Sequence, residues 1–349
     1  MSNFQKNLLS LMFGCILAFG LLEVLFRLPV WVDNPIFPFL KLNGYSFQDR
    51  DDVVRYAANA SGGHLRWDGE EHLIHVNRQG FRGDLIPENK PVSILLGDSV
   101  IFNGGVVQEQ ALDTLLTQAK GHRVLNFGVS GTSLYHYQQR FEHDILGMEQ
   151  VRRVYVCFYL NDLIRDPIPP FLRSNSQRDA HPSYGFHSYA IAHFGMLVKC
   201  AVVVYTTGAD SFEWVKKFHQ GWHRENIQQW KEVRELAQDE WGSAWEAERW
   251  VEFDERIELM SQMAQRQNIE LILVLFPVEL QVSPEFLTDE MTFPQRTASE
   301  IASKWGVPVI DLLPAFRGHQ GASLFFDHCH LTPTGNQVAA SAIEAKLQP

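Results

Sequence analysis

The sequence lacks the features that mark several large classes of protein. Its four cysteines form neither a CxxC pair nor a zinc-ligand spacing, which argues against a disulfide framework and a cysteine metal site. It has no excess of positive charge, and a net charge of −11 argues against a nucleic-acid partner. Internal repeats and low-complexity tracts are also missing. A composition of 45% apolar and 20% charged residues over 349 positions indicates a globular protein with a sizeable core.

A long apolar run is present at the N-terminus. No charged residue occurs from Asn7 to Leu22, and a helix from Leu8 to Leu28 would span a hydrocarbon core of about 30 Å. We expect residues 1–30 to be a membrane anchor, with the remainder outside the cytoplasm, as the flanking charges favour. The alternatives are a signal peptide cleaved after Ala18-Phe19-Gly20, a lipoprotein box at Cys15, and a buried core helix.

Beyond residue 91, buried-type strands alternate with helical patterns. The strand-like runs cover 92–96, 124–129, 154–160, 270–276 and 308–312. The helical patterns cover 109–119, 134–146, 253–267, 294–305 and 334–347. This alternation predicts an α/β fold, a three-layer α/β/α sandwich with a mostly parallel five-stranded sheet of the flavodoxin-like kind. Ligand sites are then expected at the carboxyl ends of the strands.

Two regions lie outside this alternation. Residues 31–90 are interpreted as a linker and lead-in segment, in which 72–83 (HLIHVNRQGFRG) predicts a strand and a glycine-rich turn. A helical insertion at about 163–252 interrupts the predicted α/β domain, 91–349. Within it, 188–205 is interpreted as a buried or amphipathic helix rather than a second membrane span.

Tryptophans are concentrated in the second half of that insertion. They would serve either to stack on sugar rings or to pack helices onto a core, and core packing is the favoured interpretation. They are Trp214, Trp222, Trp230, Trp241, Trp245 and Trp250.

A polar turn, Gly97-Asp98-Ser99, follows the first strand of the alternating region. By itself such a turn is ordinary helix-capping chemistry. A serine becomes a nucleophile beside a base, and Asp327 and His330 lie together just before a helix start signalled by Thr332 and Pro333. The carboxylate would orient the imidazole, which would take the proton of Ser99.

The same histidine loop also contains metal-ligand residue types, His328, Cys329 and His330. Neighbouring loop residues rarely converge on one ion, and no second cluster supplies further ligands. We therefore expect neither a metal nor another cofactor.

Two further polar segments follow the next strands. Gly131 lies in 126–133 (NFGVSGTS) and Asn161 in 159–163 (YLNDL). The N–H groups of Ser99 and Gly131 and the amide of Asn161 would together form an oxyanion hole. Taken singly, the two segments are better explained as a glycine turn and an Asx turn.

In combination these segments resemble the SGNH hydrolases, also called the GDSL esterase and lipase superfamily. The four matching blocks occur in order: Gly97-Asp98-Ser99, Ser130-Gly131-Thr132, Asn161-Asp162 and Asp327-His328-Cys329-His330. The resemblance covers about 91–349, and 77–83 (NRQGFRG) is similar to membrane-linked bacterial members acting on cell-envelope polysaccharides. Val100 replaces the leucine of the GDSL block. Tyr159 stands where a glycine is usual, which would narrow the cleft beside Asn161.

The resemblance implies a serine esterase that works through an acyl-enzyme, with Ser99, His330 and Asp327 as the triad. The expected substrate is an acylated small molecule or glycan, with O-acetyl as the expected acyl group, and the expected location is a bacterial inner membrane with the catalytic domain in the periplasm. One alternative is an O-acyltransferase with the same triad, which would need a separate membrane protein as acyl donor. The other is a non-catalytic envelope scaffold.

Overall fold

The computed structural model describes residues 14, 17–22, 47–50, 53–56, 58–87, 90–120, 122–163, 241–283, 288–319 and 323–346. Its strands are β1 Phe47–Arg50, β2 Val53–Tyr56, β3 Ser61–Leu65, β4 Glu71–His75, β5 Val92–Gly97, β6 Arg123–Gly128, β7 Val151–Phe158, β8 Glu270–Leu275 and β9 Val309–Asp311. Its α-helices are α1 Ser99–Phe102, α2 Leu112–Lys120, α3 Leu134–Arg140, α4 Trp250–Arg266, α5 Glu279–Val282, α6 Phe293–Lys304, α7 Leu313–Arg317 and α8 Pro333–Lys346. Short 3-10 helices cover Gln108–Gln110, Leu160–Leu163, Gly242–Trp245, Ala247–Arg249 and Asp289–Thr292, and Phe141–Ile145 is a π-helical turn.

The predicted five-stranded parallel sheet is confirmed, with strand order β6-β5-β7-β8-β9. Every residue of β5 is buried, so apolar layers cover both faces of the sheet, as its continuous apolar sequence predicts. The chain crosses from β5 to β6 on one side and then to β7 on the other. The strand order therefore reverses at β5, and a crevice opens beyond its carboxyl end.

The helices form two groups, which pack within themselves. Helix α8 contacts α2 and α7, while α4 contacts α3 and α6. The sequence of α4 shows why it packs, since Phe253, Ile257, Met260 and Ala264 recur at helical spacing and are all buried. With the sheet between them, the two groups give the predicted α/β architecture.

The predicted membrane anchor falls almost entirely outside the described residues. Of residues 1–30, the structure describes 14 and 17–22, which are helical and exposed. In the parts of the chain that are described, no helix combines the length and the apolar character needed to cross a membrane. The anchor stays a prediction.

The described part of the predicted lead-in segment is built from paired antiparallel strands, β1 with β2 and β3 with β4. The strand and turn expected within 72–83 are present as the end of β4 and a turn closed by the side chain of Asn77. Its Oδ1 accepts the N–H of Gln79 at 2.8 Å, and Gly80 has φ +88°, a backbone conformation that glycine adopts without strain. An isolated bridge from Arg82 to Asn126 then joins this segment to β6.

The tryptophans of the predicted insertion that can be described pack into the core. Trp241 and Trp250 are buried, and the ring of Trp250 lies 5.8 Å from that of Phe158 at the end of β7. Core packing is therefore confirmed for these two side chains. The predictions for Trp214, Trp222, Trp230 and 188–205 lie outside the described residues.

A close backbone contact between β6 and α1 sets the position of the first site residue. Gly128 ends β6, and a Cβ atom there would lie less than 3.0 Å from backbone atoms of Asp98, Ile101 and Phe102. Backbone atoms cannot move aside as a flexible side chain can. The absence of a side chain at Gly128 is what allows the helix that begins at Ser99 to lie against the sheet.

We predict that Gly128→Ala lowers the free energy of unfolding by about 1–3 kcal/mol, because the new methyl group overlaps the backbone of α1. Urea denaturation measures the loss. Gly147→Ala is the matched control, since a Cβ at Gly147 meets no atom within 4 Å. Equal stability of the two variants would show that the contact between β6 and α1 tolerates a side chain.

Candidate active site

Ser99 is the first residue of α1, directly beyond the carboxyl end of β5. The preceding residue caps this short helix, because Asp98 Oδ1 accepts the N–H of Val100 at 2.9 Å. At the other end Asn103 adopts a left-handed conformation and donates its N–H to the carbonyl of Ser99 at 3.0 Å. The neighbouring residues Asp98 and Asn103 therefore cap the single helical turn that begins at Ser99.

The structure brings Ser99, His330 and Asp327 together. His330 Nε2 lies 2.9 Å from Ser99 Oγ, and His330 Nδ1 lies 2.6 Å from Asp327 Oδ2. The second carboxylate oxygen, Asp327 Oδ1, accepts the N–H of Cys329 at 2.9 Å and of His330 at 2.7 Å. A carboxylate that accepts from Nδ1–H leaves Nε2 as the acceptor for the serine hydroxyl.

The loop that carries His330 is held by the helix that follows it. Thr332 Oγ1 accepts the N–H of Gly335 at 3.2 Å, so the predicted cap of α8 is confirmed. Asn336 Nδ2 then donates to Asn103 Oδ1 at 2.7 Å. Since Asn103 also ends α1, this one hydrogen bond connects the serine helix to the histidine loop.

The predicted oxyanion donors follow the two strands that flank β5. Gly131 lies after β6 with φ +75°, and Asn161 lies in the 3-10 helix after β7. Among the described residues, neither the N–H of Ser99 nor that of Gly131 donates a backbone hydrogen bond. Asn161 Oδ1 is buried and has no hydrogen-bond partner in the described part of the chain.

Asp98 has more contacts than a turn-shaping role requires. It is 1% exposed and hydrogen-bonds the side chain of Asn161. Burial raises the pKa of its carboxyl group, while the Val100 N–H, the charge of His330 and the Asn161 side chain act in the opposite direction. Asp98 thus links the turn before Ser99 to Asn161, a connection that the sequence did not reveal.

A second buried carboxyl group belongs to Asp162, the residue after Asn161. Asp162 accepts hydrogen bonds from the hydroxyl of Tyr137 at 2.7 Å and from the N–H of Tyr159 at 2.8 Å. Burial, followed by the nearby charge of Asp98, raises the pKa of Asp162 well above its ordinary value of 3.8. Tyr159 itself is 1% exposed, so its ring packs in the interior instead of narrowing an open cleft.

Three ligand-type side chains of the histidine loop lie closer together than the sequence suggested. Potential ligand atoms of Asp327, His328 and Cys329 are all within 4.8 Å of one another. The oxygens of Asp327 already accept hydrogen bonds from His330 and Cys329. A cation bound there would compete with the bond that orients His330.

Arg82 supports the site, although sequence reasoning did not single it out. Its buried guanidinium donates to the carbonyls of Phe102 at 2.9 Å, Asn103 at 2.5 Å and Val106 at 2.7 Å, and to Gln108 Oε1 at 2.9 Å. It thereby holds the loop that follows the serine helix. The sequence feature that could have identified Arg82 is its place in 77–83 (NRQGFRG), the segment similar to that of membrane-linked family members.

Aromatic side chains lie beside His330 and the loop that follows the serine helix. The ring of Phe326 stacks on His330 with centroids 5.6 Å apart, and also lies where a Cβ of Gly105 would be. His64, from β3, packs in the same way against Gly104. Burial, followed by the charges of Arg82 and His330, lowers the pKa of His64 to about 4, so it is neutral at pH 7. The predicted lead-in segment therefore contributes to the wall of the site.

We predict that the pH dependence of stability reports Asp162. A raised folded pKa means that the protein binds the proton more tightly when folded, so the free energy of unfolding falls as pH rises through that pKa. Asp162→Asn should reduce this fall, measured by urea denaturation between about pH 5 and about pH 8. Glu255→Gln, on the exposed face of α4, is the control and should keep the parental dependence. An unchanged dependence in Asp162→Asn would contradict the prediction.

Comparison with protein-family models and with curated proteins finds no match to this chain. Solved structures are similar. The lipase/acylhydrolase from Enterococcus faecalis is 15% identical, with 74% of this chain and 95% of that chain covered, at a TM-score of 0.41. A putative lipolytic protein of the G-D-S-L family from Desulfitobacterium hafniense is 12% identical, with 74% and 100% covered, at 0.40. An acetyl xylan esterase is 15% identical, with 74% and 100% covered, at 0.40.

Proposed function

We propose that this protein is a serine esterase that cleaves an acyl ester through Ser99, His330 and Asp327. The observation that carries the proposal is the pair of hydrogen bonds on one imidazole: 2.9 Å from Nε2 to Ser99 Oγ and 2.6 Å from Nδ1 to Asp327. A hydroxyl, a base and an orienting carboxylate in that order form the arrangement that activates a serine.

The reaction follows from the geometry. Ser99 Oγ attacks the ester carbonyl carbon while His330 Nε2 takes the hydroxyl proton, and the carbonyl oxygen becomes an oxyanion. Donors for that oxyanion are the N–H groups of Ser99 and Gly131 and the amide of Asn161. His330 then gives its proton to the departing alcohol, leaving Ser99 acylated. In the second half, His330 takes a proton from water while the water oxygen attacks the acyl carbon. The bond between the acyl carbon and Ser99 Oγ then breaks, His330 returns the proton to Oγ, and the carboxylic acid leaves.

Hydrolysis is favoured over acyl transfer by the exposure of the base. The side chain of His330 is 27% exposed, so this part of the site is open to water. A transferase with the same triad has to exclude water from the acyl-enzyme and admit an acceptor hydroxyl instead. We therefore propose the esterase, and an acyl-enzyme that reacts with a saccharide hydroxyl faster than with water would support the transferase.

The substrate and location that we propose are those implied by the sequence resemblance. They are an O-acetyl ester of a cell-envelope glycan and the outer face of a bacterial inner membrane. Acetate release from an acetylated polysaccharide by the full-length chain tests the substrate. Protease treatment tests the location. The domain should be cleaved in spheroplasts, where the outer face of the inner membrane is exposed, and protected in inside-out membrane vesicles.

Replacement of the nucleophile is the first test. Ser99→Ala should lower kcat for a p-nitrophenyl acyl ester by at least about 1,000-fold, because the hydroxyl that forms the acyl-enzyme is removed. Ser93→Ala is the matched control. Ser93 lies at the opposite end of β5, and its Oγ lies 2.9 Å from His122 Nε2, so it is also a serine paired with a histidine. A parent without activity would favour the scaffold alternative, and an active Ser99→Ala would refute the triad.

Asp327→Asn tests the orienting role. The amide would present an N–H to His330 Nδ1, which favours the tautomer that cannot accept the Ser99 proton. We expect kcat to fall about 1,000- to 10,000-fold with a nearly unchanged KM. Asp311→Asn is the control, since Asp311 Oδ1 accepts the N–H of Leu313 at 2.9 Å on the edge strand β9, and it should keep full activity. Equal kcat values for the parent and Asp327→Asn would show that Asp327 does not orient the base.

A further inference from the structure

Tyr56 makes two hydrogen bonds to Ser130, the residue before Gly131. Its hydroxyl accepts the N–H of Ser130 at 3.0 Å and donates to Ser130 Oγ at 3.0 Å. Tyr56 ends β2, in the segment that the sequence indicated as linker and lead-in, whereas Ser130 follows β6 of the central sheet. The contact thus joins two parts of the chain that sequence reasoning separated.

Tyr56 is itself rigidly held. It is 2% exposed and belongs to a small apolar cluster with Val54, Ile74, Val76, Phe102 and Val129. Its ring centroid lies 4.7 Å from that of Phe102, the last residue of the serine helix. Burial raises the pKa of its hydroxyl to about 12, so the hydroxyl keeps its proton for Ser130 at neutral pH.

An ion-pair network fixes the neighbouring residue of β2. Arg55 Nε donates to Asp144 Oδ1 at 2.7 Å, and Arg140 Nε donates to the other oxygen of Asp144 at 3.3 Å. Arg140 also lies over the ring of Phe127 in β6, with its guanidinium carbon 4.9 Å from the ring centroid. The hydroxyl of Tyr56 therefore has a defined position relative to β6 and the turn that follows it.

Gly131 lies between two anchored residues in that turn. On one side Ser130 is held by Tyr56. On the other side Thr132 donates its N–H to the carbonyl of Val129 at 3.3 Å and its hydroxyl to the same carbonyl at 2.6 Å. The orientation of the peptide N–H of Gly131 depends on both anchors, because its φ of +75° places it in a conformation that glycine can leave easily.

We propose that Tyr56 is a positioning residue for the oxyanion hole, holding Ser130 so that the N–H of Gly131 points at the carbonyl oxygen of the substrate. The inference rests on the proposed esterase function. Tyr56 does not touch the reacting atoms. Tyr56 acts through Ser130 on the N–H of Gly131. Its contribution to the rate therefore arises in the transition state, when the oxyanion forms.

The test compares Tyr56→Phe with the full-length parent in p-nitrophenyl ester hydrolysis, with kcat calculated per Ser99 labelled at completion by a fluorophosphonate probe. This count corrects for any unfolded fraction. We expect kcat to fall roughly 10- to 100-fold while KM changes less than about twofold, because a misplaced donor weakens transition-state binding. A kcat per labelled site equal to the parent's would overturn the proposal, whatever the change in thermal stability.

Tyr155→Phe is the matched control. Its hydroxyl accepts from Arg153 Nη1 at 3.3 Å, and Arg153 binds Glu270 at the amino ends of β7 and β8, far from the serine. The chemical change is identical and the expected kcat is that of the parent. An equal loss in Tyr155→Phe and Tyr56→Phe would assign the effect to general destabilisation and overturn the proposal.

Ser130→Ala gives an independent test that leaves Tyr56 in place. It removes the hydroxyl partner and keeps the N–H bond, so kcat should fall by about fivefold, the value of one hydrogen bond. Combined with Tyr56→Phe it should cause no further loss, because both changes break the same contact. If Tyr56→Phe does not fold, Ser130→Ala alone tests the proposal. A kcat of Ser130→Ala equal to that of the parent would then contradict it. An unlabelled, inactive parent would refute the esterase instead, which separates the two failures.

Discussion

The hydrogen bond between Ser99 Oγ and His330 Nε2 joins two segments that are 231 residues apart in the sequence. Both segments rely on further contacts, since α1 is one turn long and the Asp327–His330 loop is irregular. The sheet provides the first constraint: β5 ends where the strand order reverses, and Gly128 allows α1 to lie directly on β6. The second is the bond from Asn336 to Asn103, which ties the helix after the histidine to the end of the serine helix.

A layer of buried polar groups lies beneath these loops. Asp98 contacts Asn161, and Asp162 accepts from Tyr137, so the carboxyl groups are enclosed but hydrogen-bonded. Burial opposes their ionisation and raises their pKa values, which costs stability as pH rises. In return the layer connects the turn that carries Ser99 with the 3-10 helix after β7. Sites that depend on exact orientation commonly carry such a stability cost.

The sequence predicted the sheet and the candidate triad because their signals are local. Apolar runs such as 92–96 can be read without knowing their neighbours, and Thr332 and Pro333 mark the start of α8 whatever packs against it. The fact that strands of one parallel sheet end at one edge then placed Ser99 near the residues that follow the other strands. The spacing of Asp327 and His330 before that helix start predicts an orienting carboxylate and a base, and the family resemblance agrees with this assignment.

The supporting contacts could not be predicted in this way, because they join residues distant in sequence and chemically unremarkable. Nothing about Tyr56 marks it as the partner of Ser130, and Arg82 is a buried arginine only because four acceptors surround it. The lead-in strands are short and lack clear alternation, so a strand ladder was not expected before β4. Such partners are identified by three-dimensional packing, and local patterns contain little information about it.

The central claim is that Ser99 is an activated nucleophile. The most direct measurement is to treat the full-length chain with a fluorophosphonate probe and locate the adduct by mass spectrometry of its peptides. We expect a single adduct on Ser99, formed quickly in the parent and much more slowly in His330→Gln, where the base is missing. An adduct on another serine, or equal labelling of Ser99 with and without His330, would contradict it.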